Sequence, residues 1–109
     1  MHELSITQSV VDAVVARTGD QRVIEVRLQV GRLSGVVADS LRFCFELVTD
    51  GTPLQGAALD IDEPPGSASC RDCGAVFPVS DLILLCPCGS ADVSVLTGRE
   101  LAICSVEVA

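Results

Sequence analysis

Four of the six cysteines form two close pairs in the second half of the chain. Two residues separate Cys70 from Cys73, and a single proline separates Cys86 from Cys88. Two such pairs can supply the four thiolates of a tetrahedral Zn²⁺ site, because each pair is already close to a bidentate clamp. The spacing therefore predicts a structural zinc site. The one-residue spacer tightens the second chelate ring, so Cys88 is the ligand that fits a tetrahedron least easily.

A dithiol redox centre is the alternative for Cys70 and Cys73. It would need an exposed thiolate near a helix N-terminus, and the sequence predicts no helix there. A disulfide framework is disfavoured as well, because the cysteines are clustered and the first residues do not resemble a signal peptide. We therefore expect a metal site in a cytoplasmic protein.

The first three residues could also hold a metal. The chain begins Met1-His2-Glu3, and His2 is its only histidine. A terminal amine, a backbone nitrogen and an imidazole at adjacent positions can chelate one ion, and nitrogen donors in a square plane suit Ni²⁺ or Cu²⁺. In the plainer interpretation His2 is solvated and Glu3 opposes the dipole of a following helix. From the residues alone, the plainer interpretation is favoured.

Hydrophobic periodicity predicts the elements that would carry these residues. One helix is expected over 4–17, stopped by Gly19, and a second over about 40–50, capped by Asp39 or Ser40. A shorter strand is expected around 59–61. A longer strand over 23–30 is expected to bury every second side chain, namely Ile24, Val26, Leu28 and Val30.

The segment 64–67, Pro-Pro-Gly-Ser, ends the short strand and predicts a domain boundary. In the last segment the apolar positions change parity between Ile103 and Cys104, which predicts a β-bulge or a strand buried on both faces. Because a lone terminal strand needs neighbours, we expect it to pair with strands before Pro64. The predicted fold is α+β, with two helices packed on a small mixed β-sheet in residues 1–66 plus 97–109. An inserted zinc-ribbon-like β module occupies residues 67–96.

Composition and charge bear on the class of function. A net charge of −8 disfavours binding to nucleic acid, because a phosphate backbone would be repelled. No apolar run approaches the length needed to span a bilayer, so no membrane role is expected. With a single histidine at position 2, the sequence offers no nucleophile with a matching base, and it has no complete phosphate-binding loop. An enzyme is therefore not predicted.

Several segments together resemble one known family. They are Met1-His2-Glu3-Leu4-Ser5, Gly31-Arg32-Leu33-Ser34-Gly35-Val36, Leu41-Arg42-Phe43-Cys44-Phe45-Glu46-Leu47-Val48, the two cysteine pairs with Cys86-Pro-Cys88-Gly89-Ser90, Gly98-Arg99-Glu100-Leu101, and Val106-Glu107-Val108. In this order, over essentially the whole chain, they resemble the hydrogenase-maturation nickel metallochaperones of the HypA/HybF type.

The resemblance implies a nickel-binding α+β domain with an inserted zinc domain. It reverses the interpretation of the N-terminus: His2 becomes the key Ni(II) ligand, with Glu3 and the Met1 amine as further ligands, and the four paired cysteines become structural zinc ligands. The implied partners are a maturation GTPase of the HypB type and the large subunit of [NiFe] hydrogenase, with urease accessory proteins for some members. The sequence departs from the family's usual Cys-Pro-x-Cys at Cys86-Pro-Cys88, and Asp39 is only a weak match to carboxylates near the nickel.

A zinc-stapled adapter that binds other proteins and carries no nickel is the alternative function. Nickel binding at the N-terminus distinguishes the two.

Overall fold

A computed structural model describes residues 3–109, which form an elongated molecule of 53 × 20 × 17 Å. Two helices and six strands are found in this part of the chain. In order they are α1 (Glu3–Thr18), β1 (Val23–Val30), α2 (Ala38–Thr49), β2 (Ala58–Asp62), β3 (Gly66–Cys70), β4 (Val76–Val79), β5 (Val93–Thr97) and β6 (Leu101–Val108). Neither helix among these residues is long and apolar enough to cross a bilayer.

The first sheet has the strand order β2-β1-β6. The central strand β1 runs parallel to β2 and antiparallel to β6, with Arg27 opposite Asp60 on one side and Ser105 on the other. Two helices therefore accompany a small mixed sheet, and the predicted α+β fold is confirmed. The C-terminal strand also pairs with a strand that precedes Pro64, as expected.

The predicted bulge in the last strand is present. Arg27 faces Ser105, but the next residue, Leu28, faces Ile103, so Cys104 has no partner in the ladder. This is where the apolar parity changes in the sequence. The alternative of a strand buried on both faces is wrong, because most of β6 is exposed.

The core of the first sheet differs from the expected pattern at two residues. Ile24 is 45% exposed, and Val23 is buried in its place, because a register shift between Val23 and Glu25 changes the parity at the start of β1. In α1, the helical spacing of the apolar residues predicts that Leu4 is buried, yet Leu4 is 54% exposed and Ile6 lies in the core. The buried members of this core are Ile6, Val10, Val11, Val14, Val23, Val26, Leu28, Val30, Leu41, Phe45 and Leu54.

The start of α2 also differs from expectation. The helix begins at Ala38 with Val37 at the N-cap position, so neither Asp39 nor Ser40 caps it. The Val37 N–H instead donates a hydrogen bond of 3.2 Å to the Glu3 carboxylate. A carboxylate there satisfies an amide at the positive end of the helix dipole, so the start of α1 is tied to the start of α2.

The second sheet has the order β4-β3-β5 and is antiparallel throughout. Its strands lie between β2 and β6 along the chain. Its small core contains Leu33, Ala68, Cys70, Phe77, Val79 and Cys86. Leu33 belongs to the loop after β1, so a side chain from the first half of the molecule fills part of the second core.

The two sheets meet where residues 31–33, 64–66 and 98–100 pass close to one another, with no room for a side chain at their glycines. The Gly31 N–H donates to the Glu100 carbonyl at 2.8 Å, and the Leu33 N–H donates to the Gly98 carbonyl at 2.7 Å. A Cβ on Gly31 would lie 2.0 Å from the Gly98 oxygen, and Gly98 has a φ of +111°. Only glycine fits both positions, which explains why the segment 31–35 begins with one.

Candidate metal centre

Two tight turns carry the four paired cysteines. Cys70 is the last residue of β3, and its turn is closed by the Gly74 N–H, which donates to the Cys70 carbonyl at 2.9 Å. Cys86 begins the other turn, which is closed by the Gly89 N–H donating to the Cys86 carbonyl at 2.8 Å. Each turn ends in a glycine, at φ +78° for Gly74 and +97° for Gly89. These turns direct both members of each pair towards the same point.

The four sulfur atoms lie within 4.8 Å of one another. Across the two turns, Cys70 Sγ is 3.8 Å from Cys88 Sγ, and Cys73 Sγ is 3.6 Å from Cys86 Sγ. A tetrahedral Zn²⁺ with bonds of about 2.3 Å would place its sulfur ligands about 3.8 Å apart. The arrangement therefore fits a four-thiolate metal site, and the shorter second spacer does not remove Cys88 from the cluster.

The amides of the first turn favour a thiolate at Cys70. The Cys73 N–H lies 3.5 Å from Cys70 Sγ. This amide is the main reason that the pKa of Cys70 falls from 9.0 to about 7, and the Asp72 amide adds to it against the opposing effect of burial. The lowered pKa of Cys70 therefore favours the thiolate form that a metal ion requires.

Cys86 shows the opposite behaviour. The Cys88 amide lowers the pKa of Cys86, but burial and the neighbouring sulfurs of Cys88, Cys73 and Cys70 outweigh it and raise the pKa to about 12. Four thiolates this close repel one another strongly, and only a bound cation relieves the repulsion. The four sulfur donors are therefore typical of a metal-binding site and not of a site with a single reactive thiol.

The other candidate residues lie elsewhere. Met1 and His2, the chief residues of the predicted nickel site, are outside the described residues. Glu3 accepts the Val37 amide through its carboxylate, and its carbonyl accepts the Thr7 hydroxyl. Asp39 is exposed and lines a shallow groove beside Glu3. Sequence reasoning missed the contact of Glu3 with α2, because nothing local in the sequence signals a bond across 34 residues.

The remaining two cysteines are not part of the cluster. Because Cys44 lies between Phe43 and Phe45 and Cys104 lies in an apolar segment, the sequence predicts that both are packing residues rather than ligands. Cys44 is half-buried on α2, whereas Cys104 is exposed at the bulge of β6, so that expectation is wrong for Cys104. Within residues 3–109 none of the six cysteines forms a disulfide.

Comparison with known proteins matches nearly the whole sequence to the family that its motifs resemble. A family model described as "Hydrogenase/urease nickel incorporation, metallochaperone, hypA" matches residues 1–108. The chain belongs to this family. The HypA relatives include "Hydrogenase maturation factor HypA" from Geobacter metallireducens, 47% identical over 109 residues and covering 99% of both chains. The protein of the same name from a Nostoc species is 43% identical over 108 residues, covering 99% of this chain and 96% of the relative.

A solved HypA structure shares the fold. The solution structure of the Ni metallochaperone HypA from Helicobacter pylori aligns with a TM-score of 0.65, covering 99% of this chain and 97% of the other at 24% identity. The resemblance predicted from the sequence motifs is confirmed, and with it the assignment to the nickel metallochaperones of hydrogenase maturation.

Proposed function

We propose that this chain binds Ni(II) at its N-terminus through the His2 imidazole and adjacent backbone nitrogen, and delivers the ion for insertion into [NiFe] hydrogenase. The observation that carries the proposal is the family match, which begins at residue 1 and so includes Met1-His2-Glu3. The Met1 amine completes the chelate. A site made from a terminus suits a carrier, because few side chains must rearrange when the ion leaves.

Glu3 is the third member of the proposed nickel site, and its surroundings suggest two ways of acting. Its carboxylate accepts the Val37 N–H at 3.2 Å, so it orients the first turn of α1 against α2. The same carboxylate carries the negative charge of the residue that directly follows His2 in the sequence. Glu3→Gln keeps the shape of the side chain but removes its charge, so it can separate ligation from orientation: a glutamine can still accept the Val37 hydrogen bond but is a poorer ligand.

The ion held by Cys70, Cys73, Cys86 and Cys88 is proposed to be zinc. The sulfur spacing matches a tetrahedral tetrathiolate site, for which Zn²⁺ is the usual occupant. Bound there, zinc would join the two turns and stabilise the small second sheet. All four coordination positions would be filled by protein, so the ion is structural and does not take part in nickel transfer.

The partners follow from the same proposal. We infer that the chain works in the cytoplasm with a maturation GTPase of the HypB type and the large subunit of [NiFe] hydrogenase, and that it carries an ion rather than catalysing a reaction. The family description names urease beside hydrogenase, so urease accessory proteins are a second destination.

A two-domain organisation is part of the proposal. Residues 1–66 plus 97–109 would form the nickel-binding domain and residues 67–96 the inserted zinc-binding domain. Two separate hydrophobic clusters support this division. Leu33 packs in the second cluster, so the domains would share an anchored junction rather than a loose linker.

Nickel titration by calorimetry tests the function. The protein must be untagged with its native Met1, because an added residue would remove the terminal amine from the chelate. We expect one Ni(II) per chain in the wild type and loss of that site in His2→Ala. A variant with Gly-Ser before Met1 should weaken binding while keeping the imidazole. Unchanged nickel affinity in His2→Ala would leave a zinc-stapled interaction adapter as the function.

Glu3→Gln and Glu3→Ala form a matched pair in the same titration. If the Glu3 carboxylate is a ligand, both variants weaken nickel binding. If its role is orientation, Glu3→Gln retains wild-type affinity and Glu3→Ala alone weakens it.

A further inference from the structure

The two turns that carry the paired cysteines differ in the backbone groups available to fix their sulfur ligands. In the first turn, the Cys73 amide lies 3.5 Å from Cys70 Sγ. In the second turn, one residue shorter, the Cys88 amide lies 3.5 Å from Cys86 Sγ. The residue between these two cysteines is Pro87, which has no N–H to offer. The second turn therefore has no backbone N–H between its two cysteines that could help to fix its ligands.

Ser90 holds this shorter turn from outside. Its carbonyl accepts the Cys86 N–H at 2.9 Å, which closes the turn. Its hydroxyl accepts the Asp92 N–H at 3.1 Å and donates to the Asp72 carboxylate. Asp72 lies between the two cysteines of the first turn. One half-buried serine thus links the backbone that follows the second turn to a side chain of the first.

A second contact runs beside this one. The Arg71 N–H donates to the Asp92 carbonyl at 2.9 Å, and the Arg71 guanidinium pairs with the Asp92 carboxylate at 2.7 Å. Both side chains of this ion pair are more than half exposed, at 60% and 55%, so the pair contributes little on its own. The Ser90 hydroxyl differs because it both accepts and donates, and its partners belong to different segments.

We propose that Ser90, through its hydrogen bond to Asp72, is a positioning residue of the four-cysteine site. It holds Cys86 and Cys88 at bonding distance from Cys70 and Cys73 in spite of the shorter second spacer. The inference rests on the proposed assignment of this site to zinc. Residues that orient the metal ligands without binding the ion themselves typically lower metal affinity about 10- to 100-fold when they are mutated.

Competition with a chromophoric chelator, using the full-length chain, tests the proposal. We expect Ser90→Ala to weaken zinc binding about tenfold. Ser90→Thr, which keeps the hydroxyl, should restore most of the affinity. Ser80→Ala is the matched control, because it removes an exposed serine hydroxyl from the same region without touching either turn. Equal affinities for Ser90→Ala and Ser80→Ala would overturn the proposal.

Asp72→Ala supplies an independent test if Ser90→Ala folds poorly, because it removes the acceptor of the Ser90 hydroxyl and should by itself weaken zinc binding about tenfold. Because the two residues share one contact, the loss of affinity in the double variant should be smaller than the combined losses of the single variants. Full additivity would show that they act separately and would overturn the link.

Co²⁺ substitution adds a readout that a general loss of stability would not move. A change in the visible d–d bands of the Ser90→Ala complex, with the helix signal in circular dichroism unchanged, would show a changed ligand geometry. Bands identical to those of the wild type would contradict the proposal. A wild-type chain that takes up no zinc would instead refute the zinc assignment itself.

Discussion

The two sheets of this molecule have three strands each but are stabilised differently. Among the described residues, the first packs with two helices around eleven buried apolar side chains, whereas the core of the second has six, two of which are cysteines of the metal cluster. A core that small cannot offset the entropy of ordering about thirty residues. In the second sheet the four-cysteine cluster therefore takes over part of the stabilising role that the hydrophobic core has in the first. The first sheet has no such need.

Removal of the metal should have the largest effect, and only on the second sheet. Chelation, or Cys73→Ser, is expected to abolish amide protection over 66–97 in hydrogen exchange, since metal binding supplies the folding free energy of such modules. Protection in α1, β1 and α2 should persist. Cys104→Ser is the control, because this exposed cysteine lies outside the cluster. Loss of protection in both sheets together would show that they are not stabilised independently.

Truncation in the first core should show the reverse pattern. Leu41 is fully buried on α2, so Leu41→Ala should lower the free energy of unfolding by about 2–5 kcal/mol. Urea unfolding followed by helix circular dichroism measures this, because both helices belong to the first sheet. Leu47→Ala on the same helix should cost far less, since Leu47 is 58% exposed. Zinc content should be unchanged in both, and a loss of zinc in Leu41→Ala would contradict the separation.

Acidification should act on the second sheet through its cysteines. The pKa of Cys86 is raised to about 12, because burial and neighbouring sulfurs outweigh the favourable Cys88 amide, so its thiol is protonated at every pH from 6 to 8. Zinc must displace that proton, so affinity should fall about tenfold for each pH unit lowered, from this group alone. Cys70, with a pKa of about 7, adds to the loss below pH 7. Chelator competition at pH 6, 7 and 8 measures it, and a flat profile would contradict the thiol assignment.

A mutation at the junction should destabilise the second sheet, although the mutated residue belongs to the first half of the chain. Leu33 is 5% exposed and packs in the second core, so Leu33→Ala should destabilise the second sheet by about 2 kcal/mol, at the low end for such truncations. Hydrogen exchange over 66–97 should accelerate, while the helices keep their protection. Leu82→Ala is a suitable control, since Leu82 is well exposed. Faster exchange in the helices instead would show that Leu33 stabilises the core of the first sheet and not that of the second.

The features that sequence could predict are those encoded locally. The spacing of the cysteines predicted the cluster, and the parity change at Cys104 predicted the bulge now seen opposite Arg27 and Leu28. Each depends on residues close together in the chain. Strand 23–30 and both helices were likewise predicted within two residues, because their periodicity is strong.

The features that could not be predicted depend on distant partners. Ile24 follows the alternation of its strand, yet it is exposed because the register with β6 shifts beside it. Asp39 and Ser40 are good capping residues, yet α2 begins earlier and meets the Glu3 carboxylate from 34 residues away. Leu33 lies in a loop but fills the core of the other sheet. For the predicted nickel site, the residues alone offered a possible chelate at Met1 and His2 but favoured a solvated His2, and only the resemblance to a family reversed that interpretation.

The smallest effect is expected from surface charge on the first sheet. Arg27 Nε lies 2.8 Å from the Asp60 carboxylate, across the parallel pair β1 and β2, but both side chains are about half exposed. Such a pair contributes about 0.2–1 kcal/mol, and added salt screens it. A double-mutant cycle with Arg27→Gln and Asp60→Asn, followed by urea unfolding, should therefore give a coupling below about 1 kcal/mol that shrinks in high salt. A larger coupling would mean that the first sheet, like the second, depends on specific polar contacts rather than on its apolar core.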